Sequence, residues 1–455
     1  MKKIVSRLVN EPYTSIGKGY RLDGRQNRLE EIILLDRNRS SHLFMAATTQ
    51  VGKTRLVEHM VEQDIKKEYN VVIIDPKIDN GLFSKVYQTA MKTGRIKELM
   101  LLSAVFPQYS VKINPLAHFY MEEELINTVM AGVPSKEEFF YNVALETTTA
   151  IVKSLLMIKR ATNDRVPINF EDVSRYAHYN GLIALKESIG AIPEKNEPEK
   201  DRLISLIEQI LASPVDYFAK VSNTLRTSLS QMTLGNIGTV FGSARSNPFM
   251  ERLERDEGVI LYVQTGSMLV RKTADAMAKV IISMIQGAAG RQYASGKSFE
   301  HKLCLYIDEM SNSVYPGVED LYNKGGSAGV YITGLTQSMA DLVAELGAER
   351  AQKLFSNTNT KIFGRVTDLR NAELIARYGG TQKINASMFN SSGGITARET
   401  ENTVIKPEDV MRLKPREIFY FGFEGEFRGK TAPVYGSEIV VRTPDVTSAS
   451  DTPDA

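Results

Sequence analysis

The residues with the clearest chemistry form a phosphate-binding pattern near the amino terminus. An apolar run precedes the pattern and apolar residues at helical spacing follow it, which predicts a strand, a loop and a helix. Gly52 lets the loop backbone close around phosphate oxygens, where N–H groups attract negative charge. Lys53 is placed for the β- and γ-phosphates, and Thr54 for a hydroxyl ligand to Mg²⁺. The predicted nucleotide-binding residues are Ala47, Thr48, Thr49, Gln50, Val51, Gly52, Lys53, Thr54 and Arg55.

One alternative stays open at this loop. Ala47 stands where the strict pattern has its first glycine, although a methyl group is tolerated wherever φ is negative. A Gly-Lys turn before an ordinary surface helix would show the same residues. The apolar run 43–45 before the loop, and Leu56, Val57 and Met60 after it, favour the nucleotide site.

A pair of carboxylates supplies the second part of a predicted ATPase site. Asp308 and Glu309 follow the apolar run 303–307, which predicts a buried strand that ends at them. Asp308 would hold Mg²⁺, directly or through water, and Glu309 would polarise the attacking water. The pair could instead cap the following helix, but its occurrence in a chain with Gly52-Lys53-Thr54 favours catalysis. Asp75, which also follows an apolar strand, is predicted to have a supporting role.

Polar residues after two further predicted strands complete the candidate catalytic set. Gln337 is placed to sense the γ-phosphate or to orient the attacking water. Arg365 follows a later strand, where ring-forming ATPases carry an arginine that reaches into a neighbouring subunit's site. A local ion pair with Asp368 is the alternative for Arg365. Arg370 is the second candidate for the same catalytic role.

Composition excludes several classes of protein. The 455 residues suffice for two or three domains, and 42% hydrophobic with 24% charged residues is typical of a soluble globular chain. A net charge of +2 indicates no global basic field, so any nucleic-acid site must be local or formed by assembly. The single cysteine, Cys304, excludes an internal disulfide framework, and the five histidines show no spacing for structural zinc. The sequence contains neither a secretory signal nor a spanning apolar segment.

The apolar pattern divides the chain into α/β and helical parts. Residues 13–22 fit short strands punctuated by Gly17 and Gly19. The predicted fold class is α/β, a P-loop nucleotide-binding domain with an inserted all-α domain, and the insert explains the long interval between Lys53 and Asp308. The predicted divisions are the nucleotide-binding domain at 1–118, the all-α insert at 119–236, the second part of the nucleotide-binding domain at 237–441 and a disordered tail at 442–455.

Together these motifs resemble the type IV coupling proteins of conjugation, the TraD/TraG-like branch of the FtsK/HerA ATPase superfamily. The resemblance covers roughly residues 13–435, the motif order matches, and the similarity is greatest to the TraD proteins of integrative conjugative elements. The segments that carry it are GYRLD at 19–23, ATTQVGKTRL at 47–56, VVIIDPK at 71–77, INPL at 113–116, LYIDEM at 305–310 and GLTQS at 334–338.

This resemblance implies a RecA-like motor with an inserted all-α domain that works as a hexamer with ATP and Mg²⁺. It implies delivery of relaxase-bound single-stranded DNA to a type IV secretion channel, with the relaxase and the channel proteins as partners. The family's loop falls on residues 47–54, its carboxylates on Asp308 and Glu309, its sensor on Gln337 and, more loosely, its finger on Arg365. Family members usually begin with transmembrane helices, which this chain does not show. A cytoplasmic location, with recruitment to the inner membrane face by partners, is therefore expected.

Two other functions stay open on the sequence. A double-stranded DNA translocase of the FtsK/HerA kind suits a chain without a membrane anchor, whereas the helical insert disfavours it. A protein-cargo ATPase, an adaptor of a secretion system, would use the insert to bind effector proteins. For a DNA motor, loops from six copies would line a pore, and the candidate pore residues are Arg245, Tyr322 and Lys324.

Overall fold

The computed structural model describes residues 11–23, 28–134, 136–193, 199–389 and 395–446, and for residues 382–389 and 395–402 it describes the backbone alone. Eleven strands form one mixed sheet in the order β2-β1-β13-β12-β9-β3-β8-β7-β4-β6-β5, and β10 pairs with β11 in a separate hairpin. The strands are β1 Tyr13–Arg21, β2 Glu30–Leu35, β3 Leu43–Ala46, β4 Asn70–Asp75, β5 Leu99–Ser103, β6 Ile260–Gln264, β7 Leu303–Ile307, β8 Val330–Thr336, β9 Thr360–Phe363, β10 Thr381–Phe389, β11 Ile395–Thr403, β12 Glu417–Gly422 and β13 Gly425–Thr431.

Seven neighbouring strands, from β9 to β5, run parallel. Most are short apolar runs that are buried at every position, such as β4 and β7. Helices cover both faces of the sheet, so side chains on both sides of each parallel strand are buried. A strand that alternated apolar and polar residues would bury the polar ones, and a continuous apolar run avoids this. This arrangement brings the carboxyl ends of all seven strands to one edge.

The four remaining strands of the sheet are antiparallel and extend it beyond β9. The expectation of short strands interrupted at Gly17 and Gly19 was wrong, because β1 runs through both glycines. A Cβ atom at Gly17 would lie 2.0 Å from the carbonyl oxygen of Lys430, and one at Gly19 would lie 2.7 Å from that of Arg428. Glycine is therefore needed here for the close approach of β13, not for a turn.

Helices cover both faces of the parallel strands. One face packs against α1 and α2, and the other packs against α11 to α14 and the helical part of the chain. The helices are α1 Lys53–Lys66, α2 Asn80–Lys92, α3 Glu122–Ala131, α4 Glu138–Thr162, α5 Phe170–Tyr176, α6 Tyr179–Gly190, α7 Lys200–Leu211, α8 Val215–Val221, α9 Asn223–Thr233, α10 Pro248–Glu254, α11 Ser267–Ala294, α12 Val318–Lys324, α13 Met339–Leu346, α14 Ala348–Ser356, α15 Leu369–Tyr378 and α16 Pro407–Met411.

The segment between β5 and β6 is helical, and its described residues contain no strand. Its core continues into that of the sheet, since a Cβ at Gly132 after α3 would lie 3.0 Å from Met232 of α9 and 3.2 Å from Val280 of α11. The predicted fold class, an α/β nucleotide-binding domain with an all-α part, is therefore confirmed. Among the described residues, no helix has the length and apolar character needed to cross a bilayer.

The chain after β13 packs along α2. The backbone N–H groups of Glu438 and Ile439 donate to Oε1 of Gln88, at 2.6 and 3.0 Å. The N–H of Val441 donates to Oγ of Ser84 at 2.9 Å. The predicted disordered tail begins at residue 442, and its residues 447–455 lie outside the described part of the chain.

Candidate nucleotide-binding site

Five predicted site positions follow five adjacent parallel strands. The strand order β9-β3-β8-β7-β4 places Arg365, the loop after Ala46, Gln337, Asp308 and Asp75 in succession along the carboxyl edge. Ligands of open α/β sheets bind at this edge, because the loops that follow the strands converge there. The fold therefore brings together the residues that the sequence predicted for one site.

The phosphate-binding loop is joined to the strand ends on both of its sides. The N–H of Ala47 donates to the carbonyl oxygen of Thr336 at 3.2 Å, and the N–H of Thr48 donates to that of Arg365 at 2.8 Å. Gly52, at φ 104°, has a left-handed backbone that favours glycine directly before α1. Thr49 and Gln50 lie at the exposed tip of the loop, whereas Val51 is buried below it. The loop is thus fixed at its base and open at its tip.

The alanine in place of the first glycine is accommodated by a glycine on the neighbouring strand end. Ala47 is fully buried, and a Cβ at Gly364 would lie 2.8 Å from the Cβ of Ala47. That distance is too short for two carbon atoms without a shift of the backbone. The methyl group of Ala47 therefore fits because residue 364 has no side chain, and the departure from the strict pattern does not distort the loop.

Lys53 lies inside the loop that precedes it. Its ammonium donates to the carbonyl oxygens of Ala47 and Thr48, the latter at 3.0 Å, and the residue is 6% exposed. Burial lowers the pKa of Lys53 to about 8, although Asp308 and Glu309 partly oppose this effect. The ammonium is therefore held by carbonyl oxygens at the start of the loop.

Two residues in the first turn of α1 follow Lys53. Thr54 is partly buried. Arg55 donates to both carboxylate oxygens of Glu58, at 3.0 and 2.8 Å, and its side chain is 54% exposed. Burial raises the pKa of Glu58, although Arg55 opposes the shift. Arg55 thus contacts its own helix at the border of the loop.

The two predicted catalytic carboxylates share a lysine that the sequence analysis did not single out. The ammonium of Lys77 lies 2.9 Å from Oδ2 of Asp308 and 3.2 Å from Oε1 of Glu309. Burial alone would lower the pKa of Lys77, but the two carboxylates outweigh burial and raise it. The available signal was the position of Lys77 directly after the strand that ends in Asp75-Pro76.

Asp75 supports the turn that carries Lys77. Its buried carboxylate accepts the N–H groups of Lys77 and Asp79, at 2.9 and 2.6 Å, and the hydroxyl of Tyr262 at 2.7 Å. Ile78 has φ 58°, which is strained for a β-branched residue and is held by these bonds. The structure thus places Asp75 in a turn beside the carboxylates.

Gln337 and Arg365 both have exposed side chains at the edge, on either side of the loop. The alternative for Arg365 was an ion pair with Asp368, and the described residues show no such pair. Asp368 instead caps α15, where it accepts the N–H of Asn371 at 3.1 Å. Arg370 is exposed in the first turn of α15.

Sequence analysis also missed a contact from the carboxyl-terminal strands. Arg416, at φ 70°, donates its N–H to the carbonyl oxygen of Val51 at 2.9 Å. Its guanidinium donates to the carbonyl oxygen of Thr431 at 2.6 Å. This contact holds the phosphate-binding loop at Val51, and no motif in the sequence indicated it.

The candidate pore residues have different outcomes. Tyr322 is 3% exposed and packs edge-on against His42 at 5.4 Å, so its prediction as a pore residue was wrong. Arg245 pairs with Asp172 at 2.5 Å. Lys324 is half-exposed and lies 3.6 Å from Asp320. The apolar spacing of α12 places Tyr322 on its buried face.

The chain is similar to known proteins in one segment of its sequence and in its fold. Residues 302–415, which include Asp308 and Glu309, match the family model of the TraM recognition site of TraD and TraG. No curated protein matches the chain in sequence. The fold matches the unbound bacterial conjugative coupling protein TrwBΔN70 with a TM-score of 0.67 and 15% identity, over 95% of this chain and 96% of that one.

The chain has the coupling-protein fold, and one segment of it is similar in sequence to TraD and TraG. The plasmid coupling protein TrwB in complex with ADP and Mg²⁺ matches at TM-score 0.65 and 14% identity, over 94% of this chain and 97% of that one. VirB4 of Thermoanaerobacter pseudethanolicus matches less well, at TM-score 0.53 and 13% identity, over 92% and 96%. The resemblance that the motifs predicted is therefore confirmed, and the coupling-protein fold extends over almost the whole chain.

Proposed function

We propose that the protein is an ATP-hydrolysing coupling protein, a DNA translocase motor that delivers relaxase-bound single-stranded DNA to a conjugative type IV secretion system. The observation that carries this proposal is the convergence of the phosphate-binding loop, Asp308 and Glu309 at one edge of a coupling-protein fold. The match to the TraM recognition site supports a relaxosome partner. We also propose a homo-hexamer and the domain divisions that the sequence predicted.

The residues at the edge fit ATP and Mg²⁺. The loop amides, the start of α1 and Lys53 form a cationic cradle for phosphate groups, with Gly52 in the conformation that the loop requires. Thr54 and Asp308 offer the hydroxyl and carboxylate oxygens that Mg²⁺ prefers. Bound Mg²⁺ would supply neutralisation of charge on the phosphates. TrwB has been observed with ADP and Mg²⁺, which supports the same ligands here.

Each remaining residue then has one chemical task. Glu309 accepts a proton from the attacking water, and the exposed amide of Gln337 orients that water. Lys53 holds the phosphate oxygens, and the residues at the loop tip, Thr49 and Gln50, border the nucleotide. These assignments rest on position at the edge and on the chemistry of the side chains.

Arg365 supplies positive charge to the transition state in this proposal. Its exposed side chain follows the strand end that bonds to the phosphate-binding loop of the same chain, whereas a finger acts on a neighbour's nucleotide. The two arrangements predict different rates of ATP hydrolysis when Arg365→Ala and Lys53→Ala chains are mixed. If Arg365 acts in trans, mixed hexamers regain part of the hydrolysis that each variant lacks, and Arg370→Ala is the parallel test. If Arg365 acts within its own chain, the mixture stays inactive.

The test of the function is steady-state ATP hydrolysis with no DNA, with single-stranded DNA and with duplex DNA. Glu309→Gln is the control, because it removes the proton acceptor and keeps the shape of the side chain. We expect single strands to stimulate hydrolysis and the control to show no stimulated rate.

The other outcomes identify the competing functions. Preference for duplex DNA would indicate a translocase of the FtsK/HerA kind. Hydrolysis without response to either DNA would contradict the DNA motor and favour a protein-cargo ATPase, whose all-α part would bind effector proteins. The fold match to the conjugative coupling protein TrwB makes the DNA motor the first candidate.

A further inference from the structure

Each oxygen of the Asp308 carboxylate has a hydrogen-bond partner in the protein. Its Oδ1 accepts the N–H of Glu309 at 3.0 Å, and its Oδ2 accepts the ammonium of Lys77 at 2.9 Å. The proposed function assigns a Mg²⁺ contact to this carboxylate, and the inference below rests on that assignment. Lys77 therefore occupies the oxygen that is free of backbone contacts.

Hydrogen bonds fix the backbone of the turn that carries Lys77. Asp75 bonds the N–H of Lys77, and the strained Ile78 follows it. The carbonyl oxygen of Pro76 accepts both the N–H and the hydroxyl of Ser267, at 2.9 and 3.0 Å. The turn is thus fixed on two sides, which limits how far the ammonium can move while the side chain remains free to rotate.

The ammonium also neutralises two adjacent carboxylates. Asp308 and Glu309 are neighbours in sequence, and Glu309 has the left-handed conformation at φ 48°. Two negatively charged carboxylates on adjacent residues repel each other unless a cation lies close to both. Lys77 is within 3.2 Å of both, so it supplies that cation from within the chain.

We propose that Lys77 competes with Mg²⁺ for Asp308 and thereby sets the Mg²⁺ concentration at which the protein holds its nucleotide. A monovalent ammonium and a divalent ion at the carboxylate of Asp308 would repel each other strongly. Binding of Mg²⁺ at Asp308 would therefore include the release of Lys77 from that carboxylate. Lys77 is a positioning residue in this scheme, since it acts through the carboxylates.

The experiment is a Mg²⁺ titration of fluorescent mant-ADP bound to the full chain. Lys77→Met removes the competing charge and keeps much of the length of the side chain, and Lys77→Gln is a second variant in case the first folds poorly. We expect the Mg²⁺ midpoint to fall about threefold or more in both, because a partly exposed ion pair is lost. Lys77→Arg should restore the wild-type midpoint.

Lys153→Met provides a matched control. Lys153 also bridges two adjacent carboxylates, Glu122 and Glu123, each at 3.2 Å, but it lies in the helical part of the chain. Its loss should leave the Mg²⁺ midpoint unchanged. A midpoint shift in this variant as large as that of Lys77→Met would contradict the proposal, because it would show a general effect of lost charge.

A second measurement separates competition from a merely structural role. In EDTA, Lys77→Met should unfold at lower urea than wild type, since the two carboxylates then repel each other without a cation. Saturating Mg²⁺ with ADP should remove that difference. In the Mg²⁺ titration, a Mg²⁺ midpoint for Lys77→Met that is equal to or higher than that of wild type would overturn the proposal. Lys77 would then have no effect on Mg²⁺ binding or would favour it. Failure of the wild type to bind mant-ADP with Mg²⁺ would instead contradict the proposed function.

Discussion

Two clusters of cations and carboxylates lie along the same part of the sheet, and they differ in access to water. The interior cluster is Arg39, Asp64 and Tyr306, whose side chains are buried. The edge cluster is Lys77, Asp308 and Glu309, whose side chains are 39%, 17% and 21% exposed. Tyr306 and Asp308 are only two residues apart on and after β7, so one strand contributes to both.

The interior cluster satisfies its charges within the protein. The guanidinium of Arg39 donates to both carboxylate oxygens of Asp64, at 2.5 and 2.8 Å, and the hydroxyl of Tyr306 donates to the same carboxylate at 2.5 Å. Burial alone would raise the pKa of Asp64, but Arg39 and Tyr306 outweigh burial and lower it. A bidentate contact of this kind leaves no oxygen for a ligand.

The difference shows which charges can do chemistry. The interior cluster keeps one arrangement because water and ligands cannot reach it, so it contributes to stability and to a unique fold. The edge cluster has partners that a ligand can replace, because its side chains meet solvent at the carboxyl edge. We therefore expect substitutions in the interior cluster to change stability and substitutions in the edge cluster to change nucleotide chemistry.

The largest stability effect is expected for Asp64→Asn. The amide cannot neutralise Arg39, and the one other carboxylate that pairs with Arg39 among the described residues, that of Asp36 at 3.7 Å, is shared with Lys67. Breaking a buried ion pair of this kind costs about 3–5 kcal/mol. Urea denaturation should show this decrease in the free energy of unfolding, while hydrolysis per folded molecule stays near wild type.

Lys66→Gln is the control for Asp64→Asn. Lys66 lies on the same helix, α1, its side chain is 56% exposed, and its ammonium pairs with Glu62 at 2.6 Å. Exposed pairs contribute about 1 kcal/mol or less, so this variant should unfold close to wild type. Equal losses in the two variants would contradict the distinction between buried and exposed charges.

A smaller effect is expected at a buried cation that has no carboxylate partner among the residues that the structure describes. Lys361 of β9 is 7% exposed, donates to the carbonyl oxygen of Thr358 and lies 4.6 Å from the ring centre of Phe355. Burial lowers its pKa to about 8. The ordinary pKa of lysine, which applies to the unfolded chain, is about 10.4. Between about pH 8 and this value, Lys361 is therefore protonated in the unfolded chain and mostly deprotonated in the folded chain.

The contribution of Lys361 to the free energy of unfolding should therefore become more favourable as the pH rises through this range. The free energy of unfolding of wild type, relative to Lys361→Met, should increase by about 1 kcal/mol per pH unit between pH 8 and 10. Urea denaturation of both proteins at pH 7, 8, 9 and 10 measures the difference. A difference that is constant or falls with pH would show that Lys361 keeps its proton in the folded state.

Much of the fold followed from the sequence because apolar runs and turn residues are local signals. The runs that became β3, β4, β7 and β8 are followed by polar residues, and parallel strands place those residues at one edge. The phosphate-binding loop and the carboxylates after β7 were therefore predictable as neighbours. Asp75 was also predicted to support the site, and its contacts with the turn agree with that role.

The remaining features depend on contacts between distant segments. The ion pair of Lys77 with Asp308 joins residues far apart in sequence, and the DPK segment alone did not indicate it. The support of the loop by Arg416 comes from strands near the carboxyl terminus. Tyr322 was misassigned because it was placed in a pore loop, whereas it lies in α12 on the face that packs inward, where it contacts His42.

The most direct test of the account is the rate of ATP hydrolysis by Glu309→Gln, measured with mant-ADP binding and urea denaturation on the same preparation. Loss of the proton acceptor should lower hydrolysis by about 10²- to 10⁴-fold, while nucleotide binding and the urea midpoint stay near wild type. Hydrolysis at more than about a tenth of the wild-type rate would contradict the assignment of Glu309. The edge cluster would then not be the catalytic centre of the protein.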